Sequence, residues 1–256
     1  MKITFLGTGT SHGVPMIGCE CKVCKSSDPR NQRTRCSALV EVNGVNLLID
    51  TPPELRIQAL REGIRRVDAV LFTHAHADHL FGLDDIRRFN DLSGAPMPCY
   101  GSKETLSTVR VAFEYVFVPT QLGGGKPLLD LISVNGPFEV AGVRVTPIPV
   151  MHGRMSILGY RIGNLAYITD CSRIPASSYE LMRGLDTLVL GVIRHEPHET
   201  HFSISDGLAV VDKLKPRQTF FTHIAHRLDH EATNSALPAD VQLAYDGLRW
   251  AMRSDC

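Results

Sequence analysis

A histidine-rich segment constrains this chain most. Residues 73–79 read Thr-His-Ala-His-Ala-Asp-His, after an apolar, β-branched run (67–72) that predicts a buried strand and before a helix-like pattern (80–86). The segment therefore belongs in a loop at a strand end, where ligand sites collect in layered α/β folds. Imidazole nitrogens and carboxylate oxygens are good ligands for zinc, manganese and iron. The pattern indicates that His74, His76, Asp78 and His79 bind divalent metal ions, and a polar turn that merely happens to be rich in histidine is the weaker interpretation.

The length and the charge of the chain limit the classes of protein to which it can belong. The chain has 256 residues, 43% of them hydrophobic and 21% charged, which is typical of a globular protein with ample core. No internal repeat or convincing boundary divides it, so we predict a single domain over 1–256. Lys+Arg and Asp+Glu balance at 27 each, which argues against nucleic acid as the main partner and leaves only a local basic patch open.

The cellular compartment is inferred from the absence of a signal segment and of a membrane-spanning segment. Its first residues have no long apolar core of a secretory signal, and no apolar run approaches the roughly 20 residues that span a bilayer. We therefore expect a cytoplasmic protein without a membrane partner. Seven cysteines, an odd number, favour metal ligation or free thiols over a disulfide framework.

Three of these cysteines form a cluster. Cys19, Cys21 and Cys24 place three thiols within six residues, enough to bind one face of a tetrahedral ion and leave a fourth position open. Thiolates favour zinc over the harder manganese, and three free thiols are the alternative. For the four isolated cysteines the favoured role is that of small buried hydrophobes: Cys36, Cys99, Cys171 and Cys256.

Further metal-competent residues follow predicted strands. The strand predicted over 143–150 leads to His152, the strand over 165–168 to Asp170, and the strand over 218–221 to His223. A hairpin predicted across Asn43-Gly44 ends at Asp50, which could accept hydrogen bonds from the histidine-rich segment. Seven ligands delivered in this way suit a dinuclear site. The Gly-rich stretch 118–127 predicts a mobile loop that could act as a lid.

With these motifs the chain resembles the metallo-β-lactamase-fold hydrolases over nearly its whole length. That resemblance implies an α/β fold of four layers, the αββα sandwich, with two sheets face to face, helices outside and metals at one edge. It also implies one metal bound by His74, His76 and His152. A second metal would be bound by Asp78, His79 and His223, with Asp170 bridging the two ions.

The cysteine cluster indicates which branch of this family the chain resembles most. Following a Gly-Thr-Gly-Thr-Ser-x-Gly-x-Pro start, it is similar to the branch that contains the phosphoribosyl cyclic phosphodiesterase of phosphonate breakdown. In that branch a structural zinc is bound by three such cysteines and a histidine three positions after the second-metal histidine, which here is His226. The zinc-binding loop would span 18–36. The resemblance also implies catalytic roles for His201 and Asp78.

The implied activity is that of a dinuclear-metal-dependent hydrolase. Its cofactors would be two divalent ions, zinc or manganese with iron also suitable, and one structural zinc. Its substrate would be a small phosphate ester, cyclic or open, cleaved through a metal-bridging hydroxide while His201 protonates the departing alkoxide or stabilises its charge. Whether His195 and His198, in the same loop, contact substrate or solvent stays open. A homodimer is compatible with the family.

Three alternatives stay open at this point. A transfer-RNA 3′-processing nuclease would be expected to carry a flexible basic arm, whereas the only loop of that kind here is Gly-rich with one lysine. A thioester hydrolase is compatible with the same metal ligands. A non-catalytic accessory protein of the same fold would be expected to have lost ligands, and all seven are present.

Overall fold

Two β-sheets face each other in the computed structural model, which describes residues 1–119 and 125–252. The strands in this part of the chain are β1 (Lys2–Gly7), β2 (Ser37–Val42), β3 (Val45–Ile49), β4 (Ala69–Leu71), β5 (Met97–Gly101), β6 (Leu129–Ser133), β7 (Phe138–Val140), β8 (Val143–His152), β9 (Met155–Ile162), β10 (Leu165–Ile168), β11 (Thr187–Arg194), β12 (Phe202–Ser203), β13 (Gln218–Thr222), β14 (Val241–Leu243) and β15 (Arg249–Ala251).

Each sheet is mixed. The first has the order β15-β1-β2-β3-β4-β5-β6, antiparallel from β15 to β3 and parallel from β3 to β6. The second has the order β14-β13-β11-β10-β9-β8-β7, with β12 paired to β11. Its strands β10, β11, β13 and β14 run parallel. The ends of these parallel strands therefore lie at a common edge.

Helices cover the outer face of each sheet. They are α1 (Leu55–Glu62), α2 (Ala77–Leu80), α3 (Arg87–Ser93), α4 (Lys103–Ala112), α5 (Glu114–Phe117), α6 (Ala176–Leu181), α7 (Ile204–Leu214) and α8 (His230–Asn234). One apolar cluster joins the first sheet to α1, α3 and α4, and another joins the second sheet to α6 and α7. This arrangement confirms the predicted αββα sandwich. No helix in the described ranges combines the length and apolar character needed to cross a bilayer.

The central core lies between the sheets. Phe5 of the first sheet packs against Phe220 of the second, with ring centroids 5.3 Å apart, and both side chains are fully buried. Tyr160 is also fully buried, and its hydroxyl donates to the carbonyl of Phe72 at 2.7 Å. Because Phe72 directly precedes the histidine-rich segment, this bond fixes the start of that segment to the second sheet.

Several predicted elements are confirmed with small shifts of boundary. The hairpin between β2 and β3 turns at Asn43 and Gly44, whose φ angles of 51° and 77° match the positive values that this tight turn requires. Helix α1 ends at Gly63, which adopts the left-handed conformation typical of a C-cap. The strand predicted over 143–150 continues to His152, and the strand predicted over 218–221 continues to Thr222.

The helix predicted from residue 80 to 86 is wrong in detail. Helix α2 ends at Leu80, a 3₁₀ turn follows at Leu83–Ile86, and α3 then begins at Arg87. Gly82 interrupts the helix because its backbone packs against Pro52, whose carbonyl oxygen would lie 1.9 Å from a Cβ at this position. Part of the predicted mobile loop, residues 120–124, lies outside the described residues.

Candidate metal centre and active site

The predicted ligands converge at one edge of the sandwich because each of them follows a strand. His74 lies beyond β4, His152 ends β8, Asp170 lies beyond β10 and His223 follows β13. Asp170 and His223 have φ angles of 49° and 58°, as Asp50 does at 60°. Non-glycine residues seldom adopt this conformation, and such residues cluster at functional sites.

Two groups of ligand atoms share one residue. In each group the side-chain donor atoms all lie within 4.8 Å of one another. The first group contains His74, His76, His152 and Asp170, and the second contains Asp78, His79, Asp170 and His223. The structure thus brings together all seven residues in the two sets expected from sequence, with Asp170 common to both. Except for His76, all seven are buried.

Hydrogen bonds behind the ligands set their orientation. Asp50 accepts from the backbone N–H of Thr73 at 2.8 Å, from the Thr73 hydroxyl at 2.7 Å and from His79 Nδ1 at 2.8 Å. Since the Thr73 hydroxyl donates to Asp50, its oxygen is left to accept from His74 Nδ1 at 3.0 Å. Both imidazoles therefore carry a proton on Nδ1 and direct Nε2 at the cluster, where Nε2 of His74 lies 3.0 Å from His76 Nδ1. The proposed role of Asp50 is confirmed as a contact, whereas sequence reasoning missed Thr73.

Two further threonines act in the same way. His152 Nδ1 lies 2.8 Å from the backbone carbonyl of Thr200, which leaves Nε2 of His152 facing the other ligands. The hydroxyl of Thr169 donates to Asp170 Oδ1 at 2.6 Å. Sequence reasoning missed both, since only the adjacency of Thr169 to Asp170 offered a signal.

Buried atoms without a partner show that the residues suit a metal. His79 Nε2 and both ring nitrogens of His223 are buried and make no hydrogen bond. His79 Nε2 lies 3.3 Å from carboxylate oxygens of both Asp78 and Asp170, and His223 Nε2 lies 3.3 Å from Asp170. Burial raises the pKa of Asp170, but His223 and His79 outweigh it and hold that pKa well below its usual range. A carboxylate held in its charged form and imidazole nitrogens directed at one point are the donor set of a divalent ion.

His201 lies beside both groups without belonging to either. Its ring stacks on His223, with centroids 4.9 Å apart and planes at 20°, and lies 4.7 Å from the ring of His152. Burial, reinforced by His223, lowers the pKa of His201 to about 3. The ring centroid of His198 lies 5.1 Å from that of His201, and His198 Nδ1 accepts a hydrogen bond from the Thr200 backbone N–H. His195 is exposed.

The cysteine cluster closes on the predicted histidine. The sulfurs of Cys19, Cys21 and Cys24 lie 3.2, 3.5 and 3.7 Å from His226 Nδ1. A tetrahedral zinc with Zn–S of about 2.3 Å and Zn–N of about 2.0 Å separates sulfur from nitrogen by about 3.6 Å, so the spacing fits. The Cys24 backbone N–H donates to the Cys21 sulfur and is the main cause that lowers the pKa of Cys21 to about 6. A thiolate is therefore available near neutral pH.

Arg33 connects the two clusters, although sequence reasoning missed it. It is 1% exposed and donates to the carbonyls of Ala225 and Leu228, on either side of His226. The same loop begins at His223, so one buried guanidinium supports a ligand candidate of each cluster. The isolated Cys36, Cys99 and Cys171 are buried as predicted, and Cys256 lies outside the described residues.

Comparison with known proteins agrees with the fold. Residues 45–224 match the model of the β-lactamase superfamily domain, and the chain belongs to that family. Within it, a crystal structure of a diphosphatase from the PhnP family is 45% identical, covers 98% of both chains and superposes with a TM-score of 0.92. The family implies binding of divalent metal ions.

Two curated relatives extend the comparison. An octanoyltransferase of Porphyromonas gingivalis (strain ATCC BAA-308 / W83) is 37% identical over 97% of this chain and 51% of its own length. A ribonuclease Z of Bacillus thuringiensis (strain Al Hakam) is 28% identical over 63% of this chain and 49% of its own length. The chain thus spans about half the length of the curated relatives it matches.

Proposed function

We propose that this chain is a dinuclear-metal-dependent hydrolase, and specifically a phosphodiesterase acting on a small phosphate ester. The observation that carries the proposal is the sharing of Asp170 between two groups of metal-competent side chains. A bridging carboxylate is the ligand that two neighbouring ions require, and two-metal sites are typical of enzymes that cleave phosphoric esters.

In this proposal His74, His76 and His152 bind one ion, Asp78, His79 and His223 bind the other, and Asp170 bridges them. Zinc, manganese and iron all suit these ligands. When bound, such a pair lowers the pKa of a water towards neutrality and neutralises charge on a phosphoryl group. Cys19, Cys21, Cys24 and His226 would bind a separate zinc with no open position, which is typical of a structural site.

Two side chains are proposed to act on the substrate directly. His201 is neutral near pH 7, so its ring would donate an N–H to the oxygen that leaves phosphorus and stabilise the charge developing there. Asp78, proposed as a ligand, also offers a carboxylate oxygen that could accept the proton of the attacking water. The stacking of His201 on His223 keeps the first of these groups beside the metal ligands.

A small substrate is favoured over RNA by the extent of the similarities. The PhnP-family diphosphatase aligns over 98% of both chains, whereas the ribonuclease Z aligns over 63% of this chain at 28% identity. We therefore place the transfer-RNA nuclease second among phosphoester hydrolases. A cytoplasmic location and a homodimer belong to the same proposal.

One observation favours a second candidate, a thioester hydrolase. The relative that matches 97% of this chain is named an octanoyltransferase, and transfer of an octanoyl group is acyl chemistry. The same metal ligands would serve an acyl centre, because a divalent ion polarises a carbonyl as well as a phosphoryl oxygen.

A substrate panel separates these candidates. Metal-analysed protein would be assayed with bis-p-nitrophenyl phosphate, a 2′,3′-cyclic nucleotide, a precursor transfer RNA and octanoyl-coenzyme A. We expect hydrolysis of the small diesters, and we expect Asp170→Asn to lose both that activity and bound metal. Hydrolysis of octanoyl-coenzyme A alone would establish the second candidate. A protein that binds two ions and hydrolyses none of the four would point to the accessory role.

A further inference from the structure

A groove between α1 and α3 lies apart from the metal ligands. It has a volume of about 420 Å³, and buried or half-buried apolar side chains, among them Leu55, Ile64 and Phe89, form its floor. Leu60 and Leu92 stand at its sides with 65% and 53% of their surfaces exposed. We call this surface the α1–α3 groove. None of its lining residues belongs to the metal-competent groups of the described chain.

Helix α1 buries a polar side chain and exposes two large apolar ones, which is unusual for a helix that faces only solvent. It buries the polar Gln58, whose amide donates to the Thr34 hydroxyl and the Arg35 carbonyl, while Ile57 and Leu60 project outwards more than half exposed. A surface helix ordinarily buries its aliphatic side chains and exposes its polar ones. Large apolar side chains held outwards beside an apolar groove indicate an interaction surface.

The rim of the α1–α3 groove is rich in arginine. Four exposed arginines line it, Arg56 on α1, Arg65 just after α1, and Arg87 and Arg88 on α3, while Asp85 supplies the one carboxylate among its described lining residues. Arg87 and Arg88 make exposed ion pairs with Asp84 and Asp91 at 3.4 and 3.6 Å. Exposed pairs of this kind contribute little free energy, so replacing them with pairs to a partner's carboxylates costs little. The four arginines therefore outnumber the three neighbouring carboxylates of Asp84, Asp85 and Asp91, on a chain whose formal net charge is zero.

We propose that the α1–α3 groove docks an acidic amphipathic helix of a partner protein. The apolar face of such a helix would cover Leu60 and Leu92, and its flanking carboxylates would pair with the rim arginines. Arginine beside large apolar side chains is the composition enriched at protein interfaces.

The shape and composition of the groove favour a helix over two other partners. A membrane surface is engaged by apolar side chains that protrude from a convex face, whereas Leu55, Leu60 and Leu92 here line a concavity. A single-stranded nucleic acid needs exposed aromatic rings on which bases stack, and the only lining aromatic, Phe89, is buried.

The test uses the full chain and synthetic 18-residue peptides. One peptide places leucine at the spacing of one helical face and glutamate elsewhere, a second replaces glutamate with lysine, and a third scrambles the first. Binding would be measured by fluorescence anisotropy for wild type, for Arg65→Glu with Arg88→Glu, and for Arg144→Glu with Arg183→Glu as a control of equal charge. Vesicles of phosphatidylglycerol provide the lipid comparison.

We expect wild type and the control to bind the ordered acidic peptide at least about tenfold more tightly than the scrambled one. The groove variant should lose that preference and gain binding of the lysine peptide, while folding normally by circular dichroism. Equal binding of ordered and scrambled peptides, an unchanged groove variant, or a preference for vesicles over the acidic peptide would each overturn the proposal.

Discussion

The carboxylate of Asp50 lies 2.8 Å from His79 Nδ1, and both side chains are fully buried. Asp50 also accepts hydrogen bonds from the backbone N–H and from the hydroxyl of Thr73. That hydroxyl in turn lies beside Nδ1 of His74. One carboxylate therefore orients an imidazole of each metal-competent group. Residues that orient metal ligands typically contribute about 10- to 100-fold to metal affinity or activity.

Replacing Asp50 by asparagine tests this orientation. Asparagine keeps the shape and tolerates the positive φ, but its amide must direct a donor at either Thr73 or His79, both of which already donate. We expect Asp50→Asn to weaken metal binding by about 10- to 100-fold, as measured by competition with a chelator. Asp68→Asn, an equal change that leaves the metal groups alone, should bind metal as wild type does. If Asp50→Asn retains full affinity, the orienting role is wrong.

The sequence predicted the candidate site better than the sheets that form it. His74, His152, Asp170 and His223 each follow a recognisable strand, so local pattern marked them as candidates, and the family resemblance divided them into two ligand sets. The order of strands, such as the pairing of β15 with β1, depends on contacts between residues more than 200 positions apart. Those contacts leave no local periodicity.

The missed residues have a common physical reason. Thr73 and Thr200 act through a hydroxyl or a carbonyl that becomes significant only beside a particular imidazole. Gly82 ended a predicted helix because of its close approach to Pro52, which is equally invisible in the local sequence. Arg33 would ordinarily be expected at the surface, yet its two terminal nitrogens donate to the carbonyls around His226 in the interior.

His201 should contribute to turnover without contributing to metal binding. Its ring is held beside the ligands, but it belongs to neither group of donors. We expect His201→Ala to lower kcat on bis-p-nitrophenyl phosphate by about 100- to 10,000-fold while metal content stays unchanged. His195→Ala, an exposed histidine of the same loop, should change kcat by less than about twofold. Loss of metal from His201→Ala would reassign it as a ligand.

The cysteine cluster should contribute to stability. Cys21→Ser removes one of the three sulfurs around His226 Nδ1, and we expect zinc content to fall by about one ion per chain. Losing a structural metal costs more than about 4 kcal/mol, which lowers Tm by at least about 8 °C in a chain of this size. Cys99→Ser changes an isolated buried thiol and should retain all zinc, even if it loses some stability. Unchanged zinc content in Cys21→Ser would refute the site.

A substitution at Gly191 tests whether the backbone of Asp170 must stay at its present distance from the neighbouring strand β11. A Cβ on Gly191 would lie 2.8 Å from the Asp170 backbone nitrogen and 3.1 Å from the Thr169 Cα, both backbone atoms that cannot rotate away. Gly191→Ala should therefore push the shared ligand out of position, at a cost of about 1–3 kcal/mol in unfolding free energy, and reduce the number of bound ions. Gly136→Ala adds the same methyl group where no atom lies within 4 Å, so it should change neither quantity. Unfolding in urea, paired with metal analysis of each variant, measures both. A Gly191→Ala protein that is destabilised but still binds as many ions as wild type would show that this edge can shift without disturbing Asp170, and the strain at its φ of 49° would then not be needed for metal binding.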